Sequence, residues 1–587
     1  MHQVESLYFY EINSFLNNIT DMNISKQIFK IFLSVVIVFL FSFCSSKHKK
    51  PEYGKSHGMV VSAHPEASKI GADILKKGGN AVDAACAVQF ALAVSYPVAG
   101  NIGGGGFMVI RMDDGKSYTL DYREKAPLKA NRNMYLDDKG EAIPGLSLDS
   151  HLAVGVPGTV DGMLKAHKRF GRLSFKDVIQ PSIDLAKKGF PVTKKQAVRL
   201  NSYKQAFLKM NGFNTEFVKK GAWKEGDILK QTELAHTLEL IRDKGHDGFY
   251  KGEIAKALTE QMKKHGGLIT QEDLDEYKSV WREPITGNYK NFKVISMPPP
   301  SSGGIALMQL LGMTEPYPIK EWGWHDVRTV HLMVEAERRV YADRAEFLGD
   351  PGFYKVPVKG LLDKKYLEER MRNYNHAKAT LSSEVGHGNP YRYESEETTH
   401  YSVVDATGNA VAVTTTLNRG YGCKAVVEGA GFLLNNEMDD FSVKPGVPNS
   451  YGLVGGEANS IQPGKRMLSS MTPTIVEKNG ELYMVVGSPG GSTIITSVFQ
   501  TILNVVEHGM NMQEAVTASR FHSQWLPDVV YYEKGGFPES LKVKLENMGH
   551  DLKERSTIGR VDAILRLPDG SLQGGADPRG DDAATGY

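Results

Sequence analysis

The residues Thr398-Thr399-His400-Tyr401-Ser402-Val403-Val404-Asp405 hold the chain's best opportunity for covalent chemistry. A threonine hydroxyl is a weak nucleophile unless a base stands beside it. Cutting the chain before Thr398 would supply that base within the same residue, as a free α-amine. Such an amine titrates near pH 7.7 to 8.0 before perturbation, so at neutral pH a useful fraction can accept a proton. His400 is the competing base. In an extended strand residues 398 and 400 share a face, but their side chains need not meet in attack geometry, so His400 is assigned a supporting role. Taken alone, a Thr-Thr pair before apolar residues is also what β propensity places in any strand.

Other motifs point elsewhere only weakly. The run Gly103-Gly104-Gly105-Gly106 lacks the Gly-x-Gly-x-x-Gly spacing and the Lys-Ser/Thr of a phosphate loop. No Gly-x-Ser-x-Gly follows a strand-like segment and opens a helix, as the elbow of an ordinary serine hydrolase must.

The elements that must position Thr398 alternate along the chain. Met59 to Ala63 reads as a strand and Asn80 to Tyr96 as a buried, alanine-rich helix. Residues 160 to 280 carry apolar positions at three and four spacing, hence mainly helix. Val327 to Leu348 has the pattern of an amphipathic helix. After Thr398 the pattern becomes a hairpin, with Tyr401 to Asp405 and Ala410 to Leu417 flanking Ala406-Thr407-Gly408-Asn409. A strand from Glu481 to Gly487 then enters Ser488-Pro489-Gly490-Gly491 and a helix from Ser492 to about His508. This arrangement aims glycine-turn and helix N-terminal N–H groups at one spot, where developing negative charge is welcome. Periodicity alone gives a mixture of α and β.

The 587 residues are 41% hydrophobic and 24% charged, a globular balance. A net charge of +2, with both signs interspersed, gives no reason to expect nucleic acid and points to a small-molecule partner. Lys26 and Lys30 precede an apolar run from Ile31 to Phe43, shorter than the roughly 20 residues of a membrane span, so residues 1–44 read as an export signal. Met22 offers an alternative start. Cys44 directly after the run suggests lipidation, whereas bulky Phe43 suits an ordinary cleaved signal, and both stay open. The expected location is the bacterial periplasm, free or membrane-anchored. Residues 45–57 form a polar tether. Cys86 and Cys423 are too few for a disulfide framework, and their spacing offers no zinc site.

The Thr398 motif resembles the processing site of the gamma-glutamyltransferases (gamma-glutamyl transpeptidases), members of the N-terminal-nucleophile hydrolase superfamily. The resemblance runs from about Gly58 to Tyr587. It passes in order through Asn101 to Met108, Asp121 to Pro127, Pro298 to Gly304, Leu434 to Phe441, Leu468 to Met471 and Gly487 to Ser492. It implies a four-layer αββα sandwich and a precursor that cuts itself. The products would be a large chain, 58–397, and a small catalytic chain, 398–587, sharing one core. Thr416 would hydrogen-bond and polarise Thr398. Arg123, helped by Ser469 and Ser470, would hold the donor's α-carboxylate. Asp440, with Glu437 and Asn418, would hold its α-ammonium, and the N–H groups of Gly490 and Gly491 would stabilise the oxyanion. Glu437 departs from relatives that carry Gln there. Pro445 to Gly456, with Tyr451 near its middle, resembles a lid loop over the pocket.

The activity so implied is gamma-glutamyl transfer from glutathione or another gamma-glutamyl donor to water, an amino acid or a dipeptide, with no cofactor required. The alternatives are a related acylase of the glutaryl or cephalosporin type and a non-catalytic binding protein on the same scaffold. On this reading Arg123→Ala is expected to leave processing intact and lose donor affinity.

Overall fold

The computed structural model describes residues 57–388, 399–444 and 457–587. Thr398, Tyr451 with its loop, Cys44 and the export signal lie outside the described residues. In chain order the strands are β1 (Met59–Ser62), β2 (Gly105–Arg111), β3 (Ser117–Asp121), β4 (Phe190–Pro191), β5 (Ile228–Leu229) and β6 (Val280–Arg282). There follow β7 (Ile285–Tyr289), β8 (Phe292–Ser296), β9 (Thr399–Val404), β10 (Ala410–Thr416), β11 (Thr474–Lys478) and β12 (Glu481–Gly487). The last are β13 (Phe521–His522), β14 (Val530–Glu533), β15 (Leu552–Arg555), β16 (Asp562–Arg566), β17 (Leu572–Gly575) and β18 (Ala583–Gly586). Five helices matter below: α1 (Pro65–Lys76), α2 (Ala81–Ser95), α3 (Gly303–Thr314), α4 (Val327–Phe347) and α5 (Thr493–Val506).

Two antiparallel sheets form the middle of the molecule, one ordered β18-β1-β9-β10-β2-β3-β6 and the other β17-β16-β12-β11-β8-β7. The period of two along each strand sorts side chains to opposite faces. In β10, Ala410 and Ala412 turn toward the second sheet while Val411 and Val413 turn toward the helices. In β2, Phe107 and Val109 face the second sheet, and Met108 and Ile110 the helices. Ile295, Ile475, Val485 and Ile564 of the second sheet close the space between. Helices α1 and α2 cover the outside of the first sheet, and α3 and α5 that of the second. The architecture is the αββα sandwich. Both sheets mix strands from either side of residue 398: β9 lies between β1 and β10, and β11 pairs with β8. Residues Lys55–Tyr587 accordingly form one unit, undivided at that position.

Local chemistry explains the main elements. Asn80 caps α2 by accepting from the N–H groups of Val82 and Asp83, and the Asp83 carboxylate accepts from Asn80 N, a reciprocal capping box. Every residue of α2 is buried, which its run of small side chains permits. The hairpin after β9 closes through Asp405, whose carboxylate accepts from the N–H groups of Thr407 and Asn409.

One expectation is corrected. Helix α4 is not amphipathic in its surroundings, because its charged side is buried as well. Glu335 accepts from Thr380 N at 3.0 Å, Arg339 donates to Asn373 Oδ1 at 2.7 Å, and Glu337 accepts from Ser523 N at 2.8 Å. Segments distant in sequence satisfy that face, where periodicity alone assigns it to water.

Candidate active site

Strand β10 ends at Thr416, whose Oγ1 accepts from Asn418 N at 2.7 Å. Asn418 takes a left-handed φ of 65° and donates from Nδ2 to Asn436 O at 2.8 Å. Asn101 Nδ2 donates to the Thr416 carbonyl at 2.7 Å. Gly104 packs so closely here that a Cβ on it would lie 2.0 Å from that same carbonyl oxygen. Gly104 and Gly106 thus let the chain approach β10, and Gly103 and Gly105 let it approach Leu433 and Tyr122, which explains the run without a phosphate.

Next to Thr416 lies a fully buried ionic cluster. Arg123 donates from Nη1 to Glu437 and from Nη2 to Asp440, and its Nη1 stands 3.5 Å from Glu124 Oε2. It also donates to the carbonyls of Met467 at 3.3 Å and Leu468 at 3.0 Å. Tyr277 fixes the Arg123 backbone by donating from its hydroxyl to Arg123 O at 2.8 Å. Three carboxyls thus share one guanidinium in a site closed to solvent. Burial pushes the Glu437 carboxyl up to about 7, against the opposing pull of Arg123 and of hydrogen bonds from Arg123, Glu124 and Thr416. Burial, with Glu437 as a like-charged neighbour, holds Glu124 and Asp440 well above the usual carboxylate range as well. At neutral pH the cluster retains protons that an incoming cation would displace.

Ser469 and Ser470 follow Leu468 directly. The Pro298–Gly304 segment holds them: Ser469 N donates to Pro300 O at 2.9 Å, and Ser302 N donates to Ser469 O at 2.6 Å. The Ser470 hydroxyl accepts from Arg344 of α4, which also donates from Nε to Ser302 Oγ at 2.9 Å. The serines are thus adjacent to Arg123 in the chain but hydrogen-bonded to a second buried arginine.

Gly490 and Gly491 form the turn into α5 with φ of 138° and 64°, values that exclude most side chains. Their carbonyls accept from Thr493 N at 3.2 Å and Ile494 N at 3.0 Å. Their own N–H groups have no acceptor among the described residues. Gly490 and Asn418 line one cleft, together with Arg560, whose Nη2 donates to Thr399 Oγ1 at 3.4 Å. The candidate site is therefore continuous: Arg123, Glu437, Thr416 and Asn418 on one side, Gly490 and the residue following Thr398 on the other.

His400 is buried between the sheets, sharing hydrogen bonds with Thr414 Oγ1 at 2.9 Å and Ser402 Oγ at 3.0 Å. A Cβ on Gly487 would strike its ring at 2.2 Å. Burial pushes its pKa down to about 3, so it stays neutral and structural.

From residue 67 to its last residue the chain matches the gamma-glutamyltranspeptidase family. It belongs to that family. The glutathione hydrolase proenzyme of Escherichia coli (strain K12) is 50% identical over 537 residues, covering 90% of this chain and 92% of that one. The acylase ACY 1 proenzyme of Pseudomonas sp. (strain SE83) is 38% identical over 543 residues, covering 91% and 94%. Among solved structures, cephalosporin acylase from Bacillus halodurans superimposes with a TM-score of 0.81 at 27% identity, covering 91% and 96%. As a gamma-glutamyltranspeptidase family member, the chain gathers the sequence-predicted Arg123, Glu437, Asp440, Thr416 and Asn418 in one place. Two neighbours escaped sequence reasoning. Glu124 adjoins Arg123 within a landmark already noted, so a carboxyl beside a pocket arginine was the available signal. Arg344 carried none, because its helix pattern reads as surface.

Proposed function

We propose that this chain is a self-processing gamma-glutamyltransferase and glutathione hydrolase. The observation that carries this reading is the buried Arg123–Glu437–Asp440 cluster beside Thr416, in a chain half identical to a glutathione hydrolase proenzyme. A cation and paired carboxyls set side by side match the carboxylate and ammonium of a gamma-glutamyl head group.

In maturation, Thr398 Oγ attacks the Glu397 carbonyl, the Glu397–Thr398 C–N bond breaks to leave an ester, and water hydrolyses it, freeing the Thr398 amine. In turnover that amine takes the hydroxyl proton as Oγ adds to the donor's γ-carbonyl. The Gly490 and Gly491 N–H groups receive the oxyanion. The C–N bond then breaks, the leaving amine takes the proton, and a gamma-glutamyl ester stays on Thr398. Water or an acceptor amine adds next, losing a proton as the Oγ–acyl bond breaks and Thr398 recovers it. Thr416 orients the nucleophile, Asn418 supports the ammonium and Tyr451 belongs to the covering loop. The pattern of residues 26–44 supports export of the same enzyme, with Cys44 as a candidate anchor.

The acylase alternative fits the site less well, because a glutaryl group brings no ammonium to Glu437 and Asp440. Intact mass of wild type and Thr398→Ala, before and after glutathione, tests the proposal. Two chains meeting at Glu397/Thr398 in wild type alone, with a glutamyl adduct on the smaller, are expected. A single uncut chain in both would sink it.

A further inference from the structure

We infer that the cleft beside Asn418 and Gly490 seats the carboxylate-bearing partner of the reaction: first the leaving peptide of the donor, then an amino acid or peptide acceptor. This rests on the gamma-glutamyl reading above and extends it to the half of the substrate for which the sequence offers no motif. The cleft encloses about 350 Å³, within the range of small-ligand pockets. Besides Asn418 and Gly490 its wall carries Arg199, Arg555, Arg560 and Arg579, and among the described residues no Asp or Glu lines it.

Two of these arginines are already compensated from behind. Arg560 Nε lies 3.0 Å from Asp582 Oδ1, and Arg579 Nε donates to Glu533 Oε1 at 2.6 Å. The other two are not. Arg199 donates to Tyr96 Oη at 3.0 Å, a phenol that Arg560 Nη1 also reaches at 2.5 Å. Neither Arg199 nor Arg555 forms an ion pair among the described residues. Two solvent-reachable guanidinium groups with no ion pair among the described residues thus face a concave surface whose other end holds Gly490. Such a surface selects a ligand carrying negative charge away from the reacting bond. A peptide with its amine at the acyl carbon and its carboxylate at the arginines meets that description. Breaking or forming the amide C–N bond leaves the distal carboxylate charged throughout, so the same contacts serve departure and entry.

The test compares kcat/KM for glutathione and for glutathione esterified at its glycine carboxylate, using the processed enzyme. Wild type is expected to prefer the free acid by about five- to tenfold, mainly through KM, with the preference falling as salt screens it. Arg199→Gln/Arg555→Gln should bring the ratio near one. Arg555→Glu should favour the ester, and it decides the matter if the double variant does not fold. Equal use of acid and ester by wild type, or a full preference kept in these variants, would overturn the inference. Wild-type hydrolysis of gamma-glutamyl-p-nitroanilide separates the two levels: no p-nitroaniline defeats the parent reading and this one together, whereas p-nitroaniline without an acid-over-ester preference defeats the subsite alone.

Discussion

Glu437 is the residue at which pH should enter the enzyme's behaviour. Burial lifts its carboxyl to about 7, above an ordinary value near 4.5. As pH rises through that point Glu437 ionises; if it holds the donor ammonium as proposed, it then offers a full counter-charge, and KM for donor should fall between pH 6 and 8. Glu437→Gln should flatten this limb in a steady-state pH profile. Stability carries the opposite sign. The folded state holds this proton more tightly than the unfolded one, so the contribution is complete below about 4.5 and lost as pH approaches 7. The difference in Tm between wild type and Glu437→Gln should change across that window and level off above it. On the proposed reading Arg123 is a recognition group, and the structure makes it a counterion as well, which revises the expectation for its removal. Arg123→Ala would leave three carboxyls without their cation, and about 3 kcal/mol or more of stability should go with it. Denaturant unfolding of Arg123→Ala would show a midpoint well below wild type; an unchanged midpoint, with only donor affinity lost, would return Arg123 to a purely ligand-binding role. The residue types were legible in the sequence because the landmarks preserve their order. Their mutual pairing was not, since Arg123 and Asp440 are 317 positions apart.

Among elements, legibility followed the range of the interactions. The start of α2 at Asn80 and the hairpin at Asp405 are fixed by neighbours within a few positions, and the sequence pattern placed a helix and a hairpin there. Helix α4 was misjudged because its charged face is satisfied by Asn373, Thr380 and Ser523, none of which periodicity can see. Gly104 and Gly106 acquire their meaning in contact with β10, and Gly103 and Gly105 against Leu433 and Tyr122. Gly104→Ala would place a methyl group against the Thr416 carbonyl, a backbone atom that cannot swing aside. We expect about 1 to 3 kcal/mol of destabilisation and slower self-cutting, read by thermal unfolding and by the fraction of uncut chain over time. Normal rates in Gly104→Ala would mean that β10 tolerates displacement.

At the scale of the molecule, the sandwich was implied by resemblance and not by periodicity, because strand order is set by contacts that alternation cannot report. That order has a direct test. Strands β1, β2, β3 and β6 share a sheet with β9, β10 and β18, so the two products of a cut at residue 398 remain woven together. They should co-elute on a sizing column, separate only in denaturant, and lose structure in one transition; native separation of the two would contradict the interleaving. Position within the sheet adds something more. Chain ends in most proteins fray, because little holds the final residues. Here the strand beginning at Thr399 is flanked by β1 and β10, with Thr399 already paired to Thr415. A cut before Thr398 would therefore create a terminus whose following residues were ordered before the bond broke, in the way that a keystone is held by stones set earlier. Ordering entropy that a mobile end would surrender at each encounter with substrate has been surrendered once, during folding.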